Sequence, residues 1–211
     1  MKALFDFIIE PVGDRYNNKK SIEDSELILN TELHNHNYSN RVAKVIAVPS
    51  EIETEIEVGD EIIVHHNVFR RFKDIRGKEK NSKSYYKDNI YFASEDQVYA
   101  YRRCCGWMAC KGFNFVKPIK ENKMFSTNFE KEAVGVLYAK DPDLHTVETG
   151  DLIGFKPGAE YEFVINSQRV YRVPTNSITI KYEYQGNEEE YNPSWTQSSR
   201  GINKGSRRKD R

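Results

Sequence analysis

The chain reads as an all-β protein, two small β-barrels in tandem followed by a polar tail. Three observations lead there. The first is an internal repeat. Val45-Ile46 and Val136-Leu137 lie 91 residues apart, and so do Gly59-Asp60 and Gly150-Asp151. An aliphatic run follows each glycine-aspartate step, Glu61-Ile62-Ile63-Val64 in one copy and Leu152-Ile153-Gly154-Phe155 in the other. A repeat of this kind sets the architecture before any local reading does. The second observation is composition: the apolar runs are β-branched and aromatic, the residues that fit a pleated surface. The third is that no window shows helical periodicity. Short strands broken by Gly-Asp, Pro and Asn signals point to small barrels.

The elements follow in order. Phe5-Asp6-Phe7-Ile8 opens the first unit and resembles Phe113-Asn114-Phe115-Val116, each shortly before a proline, Pro11 and Pro118. A polar loop runs from about residue 14 to 40, with one apolar island, Leu27-Ile28-Leu29. The run from Val42 to Val48 is the next strand, and Val134 to Tyr138 is its partner in the second copy. Val58-Gly59-Asp60 and Thr149-Gly150-Asp151 are tight turns entering a strand. Glycine tolerates a positive φ there, and the aspartate bonds to nearby backbone. A basic insertion at about 72–89 carries Lys73, Arg76, Lys78, Lys80, Lys83 and Lys87. Tyr91 to Ala100 closes the first unit and matches Tyr171 to Ile180. The first unit is longer by 17 residues before Val45 and by 11 after Gly59. Lengthening surface loops adds little closure entropy, so kept strands with varied loops are expected of a duplicated unit. The expected units are 1–103 and 104–184. Residues 185–211 hold too few apolar side chains to offset ordering entropy and are expected to be disordered.

Lys+Arg and Asp+Glu balance at 32 each, so the chain as a whole has no electrostatic reason to seek nucleic acid or an anionic membrane. No apolar run approaches the ~18 residues needed to span a bilayer. The N-terminal apolar stretch is short and contains Asp6, which suits a strand rather than a signal peptide, so the expected place is the cytoplasm. Cys104, Cys105 and Cys110 are odd in number and clustered, which is not a disulfide framework. A zinc site would need a fourth ligand and wider spacing. His34, His36, His65 and His66 lack partners at recognised metal spacing. No phosphate-binding glycine loop, nucleophile elbow or metal constellation is present, so the expectation is a protein that is not an enzyme and carries no cofactor.

With these residues in view, the chain resembles the chaperonin-10 family, the GroES-like co-chaperonins. Arg41 to Val48 is similar to the family's strand after its mobile loop. Val58-Gly59-Asp60-Glu61-Ile62-Ile63-Val64 is similar to its valine-glycine-aspartate turn and the strand that follows. Glu95-Asp96-Gln97-Val98-Tyr99-Ala100 is similar to its acidic C-terminal signature. The likeness covers about residues 4–182, firmly at the turns and loosely elsewhere. The departures are a serine-glutamate pair before Leu27 where the family has glycine, a roof hairpin shortened to about Pro49–Glu53, and the basic insertion. A tandem arrangement occurs in some plastid relatives, and divergent single-unit relatives occur in bacteriophages. The shortened roof and the tail have a viral rather than cellular character.

The resemblance implies two GroES-like barrels that form a homo-oligomeric ring and cap an ATP-loaded chaperonin-60 ring around an unfolded client. Any ATP is bound by the partner. It implies that Leu27, Ile28 and Leu29 dock on the chaperonin, with Met124 and Phe125 as a reduced second contact. It implies subunit or unit interfaces at Phe5, Phe7, Ile8, Tyr99, Tyr101, Phe113, Phe115, Ile178 and Ile180. Two other readings stand beside it. One is a viral structural or adaptor protein built on two small barrels. The other is a single-strand nucleic-acid module using the basic insertion and tail, with Phe69, Phe72, Tyr85 and Tyr86 as stacking surfaces.

Overall fold

A computed structural model describes residues 2–16, 19–22, 25–28, 39–103, 106–121, 129–183, 188–193 and 196. Among these there is no α-helix, and the strands lie in two main antiparallel sheets of seven and six strands with two small ribbons beside them. The chain divides into two compact units, Met1–Lys111 and Gly112–Arg211. The expected boundary at residue 103 is eight residues earlier. The strand Gly106–Ala109 pairs back onto the strand before it, which carries the first unit past the cysteines.

In unit one, β1 (Phe7–Pro11) lies between β4 (Val42–Ala47) and β9 (Ile90–Ala93). Beyond β4 come β5 (Glu61–Val64), β10 (Val98–Arg103) and β11 (Gly106–Ala109), and beyond β9 comes β8 (Tyr85–Lys87). In unit two, β12 (Phe113–Lys120) lies between β13 (Glu130–Ala139) and β16 (Gln168–Pro174). Beyond β13 come β14 (Leu152–Phe155) and β17 (Ile178–Tyr182), and beyond β16 comes β15 (Tyr161–Ile165). Strand for strand the order is the same in the two units, and β11 is the addition. Both sheets are open in their pairing, with no closed barrel among the described residues.

The likeness reaches the irregularities. The β1–β4 register shifts between Ile8 and Ile9, and the β12–β13 register shifts between Phe115 and Val116. The edge hairpins turn through Asp88-Asn89 and Asn166-Ser167, all four with positive φ, as two-residue turns between right-twisted strands demand.

Structure also moves the register of the repeat by one residue. Val45 donates to the Asp60 carbonyl at 2.9 Å and accepts from Gly59 at 2.9 Å. In unit two the residue doing both is Leu137, to Asp151 at 2.9 Å and from Gly150 at 2.8 Å. Val45 therefore corresponds to Leu137, not to Val136 as the ungapped match has it. In the opening strand Ile9, not Ile8, corresponds to Val116, since each pairs with the matched tyrosine, Tyr91 or Tyr171. A one-residue slip moves a side chain to the other face of a sheet. Val45 and Leu137 are both buried in their cores, whereas Val136 is only half-buried. Neighbouring apolar residues gave the sequence comparison no means of choosing between faces.

Each unit has its own core. Phe7, Ile9, Val45, Ile62, Phe69 and Tyr91 fill the first. Val116, Leu137, Ile153, Phe155 and Val173 fill the second. Such side chains contribute about 1.5–3 kcal/mol each on burial. The expected disordered tail needs correcting in part. Glu190 bridges to Ile119, Lys120 donates to the Glu189 carbonyl at 2.8 Å, and Tyr191 donates to the Pro118 carbonyl at 2.8 Å. Asn192 caps the β15–β16 turn, accepting from the Arg169 amide at 3.1 Å and donating to the Ser167 carbonyl at 3.0 Å. Backbone pairing to an open stretch of β12 holds this segment, and composition does not register that.

Candidate functional site, a clamped ribbon on unit one

The long loop of unit one leaves the sheet between β1 and β4. Its ends meet: Tyr16 bridges Ser39, and Asn40 donates to the Arg15 carbonyl at 3.0 Å. Between them β2 (Lys19–Ile22) and β3 (Ser25–Ile28) form a separate two-stranded ribbon, with Ile22 opposite Ser25 and Lys19 opposite Ile28. Leu27 and Ile28 lie on β3, and Leu29 lies outside the described residues. Leu27 and Ile28 are thus in a strand, but one that is not part of the seven-stranded sheet.

The root of the ribbon is built from hydrogen-bonded polar side chains. Asn40 is buried. Its amide nitrogen donates to the carbonyls of Val12 at 2.8 Å and Asp14 at 3.0 Å, and its oxygen accepts from the Val42 amide at 3.0 Å. Arg15 reaches across to the basic insertion. It donates to the Phe69 carbonyl, to Asn81 Oδ1 at 2.6 Å and to the Arg70 carbonyl at 3.1 Å. Its guanidinium carbon stands 5.2 Å from the Tyr91 ring and 5.8 Å from the Tyr85 ring. Burial pushes the Arg15 pKa down from its ordinary value, with the neighbouring Tyr91 acting against it. An arginine stays charged regardless. The Tyr16 hydroxyl accepts from the Arg71 amide, and Ser39 Oγ donates to the His66 carbonyl at 3.1 Å.

The insertion is itself a ribbon, β6 (Arg71–Lys73) against β7 (Glu79–Asn81). Asp74 closes its turn by accepting from the amides of Arg76 at 2.9 Å and Lys78 at 3.0 Å. The Lys78 amide, more than any other group, holds the Asp74 carboxyl below the usual range. The two long insertions of unit one are therefore joined at one root, although they stand apart in sequence. Sequence reasoning missed Arg15, Tyr16, Ser39 and Asn40. They flank the polar run at its two ends, but nothing in their spacing names the partner.

In unit two the corresponding loop also leaves between its first two long strands. Its ends meet where Glu121 donates to the Phe129 carbonyl at 3.2 Å and Lys120 pairs with Glu130. Met124 and Phe125 lie outside the described residues. The interface residues separate into two kinds. Phe7, Ile8, Tyr99, Tyr101 and Phe115 are buried, and β1, β10 and β12 are paired on both edges. Phe5 and Ile180 are exposed, and Phe113 and Ile178 are half-buried. The β17 edge carrying Ile178 and Ile180 has no strand beside it among the described residues, whereas β11 covers the matching edge of β10.

Cys104 and Cys105 lie outside the described residues. Cys110 packs against the first core, and burial pushes its thiol up to about 12, with Glu95 and Glu55 adding to the effect. Among the described residues no three His, Cys, Asp or Glu side chains gather as metal ligands, and no helix is long and apolar enough to cross a membrane. Compared with known proteins, the chain matches no family model and no curated sequence.

Proposed function

We propose that this chain is a divergent tandem co-chaperonin of the GroES-like kind, each unit a variant of the small barrel, and that it caps a chaperonin-60 ring. The observation that carries the reading is the position and root of the ribbon. A loop that leaves between the first two long strands of each repeated unit, fastened at its base and bearing Leu27 and Ile28, supports a presented docking segment. The likeness of strand order between the units supports duplication of one such element.

Energetics make the lid an oligomer. Burying Leu27, Ile28 and Leu29 contributes at most ~1.5–3 kcal/mol each. Ordering the rest of a loop costs about 1–2 kcal/mol per residue. One loop binds weakly, and several on one ring bind through effective concentration. The β17 edge, which has no strand beside it among the described residues and carries the exposed Ile180 and Tyr182, offers a surface for assembly. No catalysis is proposed for this chain. ATP is hydrolysed by the partner, the client is an unfolded polypeptide, and the place is the cytoplasm, a host's if the chain is viral. In the basic insertion Arg71 pairs with Glu79 at 2.7 Å and Lys80 with Asp74 at 3.4 Å, which favours a solvated ribbon over a phosphate-binding surface.

The test is gel-filtration co-elution with a chaperonin, with and without ATP, for the wild type and a Leu27→Ser/Ile28→Ser/Leu29→Ser variant. Nucleotide-dependent co-elution lost in the variant is expected. Indifference to every chaperonin, the natural host's included, would sink the reading and leave the structural adaptor in its place.

A further inference from the structure

Unit one carries two oppositely charged surfaces whose outermost charges are left unmatched. Arg70 to Lys87 holds eight cations against two carboxylates. Both carboxylates are taken within the β6–β7 ribbon, Asp74 by Lys80 at 3.4 Å and Glu79 by Arg71 at 2.7 Å. Lys73, Arg76, Lys78 and Lys83 are exposed and form no ion pair among the described residues. Ile75 stands wholly exposed in the turn that Asp74 closes. The other surface is the segment 51–61, with six carboxylates and no cation. Neighbouring residues answer part of that charge. Arg103 lies 3.3 Å from Glu57 and 3.2 Å from Asp60, and Arg102 lies 2.6 Å from Glu61. Lys44 stands opposite Glu61 across the β4–β5 pair, and Lys2 is next to the Ala3–Pro49 bridge. Glu51 and Glu53 are exposed and form no ion pair among the described residues, and Val58 in the same segment is exposed.

Unit two is built otherwise. It lacks the basic insertion, and two acids of its matching turn are met within the unit, Glu148 by Lys140 at 3.0 Å and Asp151 by Lys181 at 2.6 Å. The cationic ribbon and the purely acidic segment thus occur together, in unit one. Opposite potentials across an interface steer encounter and fix which surfaces meet. A cationic ribbon with an aliphatic tip fits a carboxylate-bearing surface with an exposed aliphatic, and this chain supplies both. We propose that the β6–β7 ribbon of one copy docks on the 51–61 segment of a second copy, its free cations meeting Glu51 and Glu53 and its Ile75 meeting Val58. Two different patches in contact build either a ring or a reciprocal pair.

The contact needs no chaperonin, so failure of co-elution leaves it standing. The test is sedimentation velocity of the full chain over a concentration series, at about 0.05 M and about 0.5 M sodium chloride. Self-association is expected, about tenfold weaker at the higher salt. Lys73→Glu/Arg76→Glu/Lys78→Glu and Glu51→Lys/Glu53→Lys should each weaken it by about tenfold or more, and a chain carrying both sets should regain it. Ile75→Ser, at a side chain wholly exposed in the single copy, should weaken it severalfold. A monomer at low salt, association indifferent to salt, reversals without effect, or no recovery in the doubly reversed chain would each overturn the proposal. If a reversed chain fails to fold, the salt series and Ile75→Ser still decide it.

Discussion

Gly59 and Gly150 have φ of +97° and +98°, and the aspartate after each accepts from the backbone three residues earlier. The distances are 2.9 Å for Asp60 Oδ2 from the Glu57 amide and 2.7 Å for Asp151 Oδ2 from the Glu148 amide. Nothing lies within 4 Å of a Cβ built at either glycine, so a substitution is opposed by backbone strain alone. Gly59→Ala and Gly150→Ala should each cost about 1–3 kcal/mol by urea denaturation, and by similar amounts. Unequal costs would show that the two turns are not the same element. Cys110 gives a second test at this scale. With its thiol pushed up to about 12, the thiolate is scarce at neutral pH, so iodoacetamide should alkylate Cys110 far more slowly in the folded protein than in urea. Peptide mapping separates it from Cys104 and Cys105. Equal rates would mean that the site opens.

The ribbon and the insertion are elements joined at a root where Arg15 makes the most contacts. Arg15 holds Phe69, Arg70 and Asn81 at once. Arg15→Ala takes the side-chain donor from the Phe69 carbonyl and leaves the Arg70 carbonyl only the Ser82 amide, and it should lower stability by about 2 kcal/mol. Arg15→Lys keeps the charge and loses the fork, so it should recover little of this. Hydrogen exchange should quicken over Lys19–Ile28 and Glu79–Asn81 in Arg15→Ala while β14 stays protected. Protection unchanged in the ribbons would mean that they do not depend on the clamp. The polar run and the basic run were each visible in the sequence as loops. Their union was not, because the hydrogen bonds joining them span 54 to 66 residues and no local pattern encodes such a span.

Across the whole molecule, stability should fall at alkaline pH. Burial, before any other cause, raises the pKa of Tyr91, Tyr101, Tyr171 and Cys110 in the folded state. The Tyr101 hydroxyl is further held as a donor to Glu55 at 2.6 Å and that of Tyr171 to Glu130. Unfolded cysteine and tyrosine ionise near about 8.5 and 10. Above those values the unfolded chain has lost protons that the folded chain keeps, so stability decreases as pH rises. The contribution is complete below about pH 8.5 and is lost progressively above it. Urea midpoints should hold level from pH 7 to 8 and decline through about pH 9–11. A flat profile would show that these groups ionise freely in the fold.

The sequence by itself determined the all-β class, the internal repeat of its pattern, the two glycine-aspartate turns and the places where the loops depart. Each of these is written in short-range chemistry: β-branched alternation, a glycine at a positive φ, a run of polar residues. Only the tertiary structure decided the one-residue register of the repeat, the clamp at Arg15, the pairing of Glu190 with β12 and the opening of the sheets. Those are contacts between distant segments. Which face a valine takes, or which carbonyl a guanidinium meets, is settled by packing and hydrogen bonding after the strands have come together.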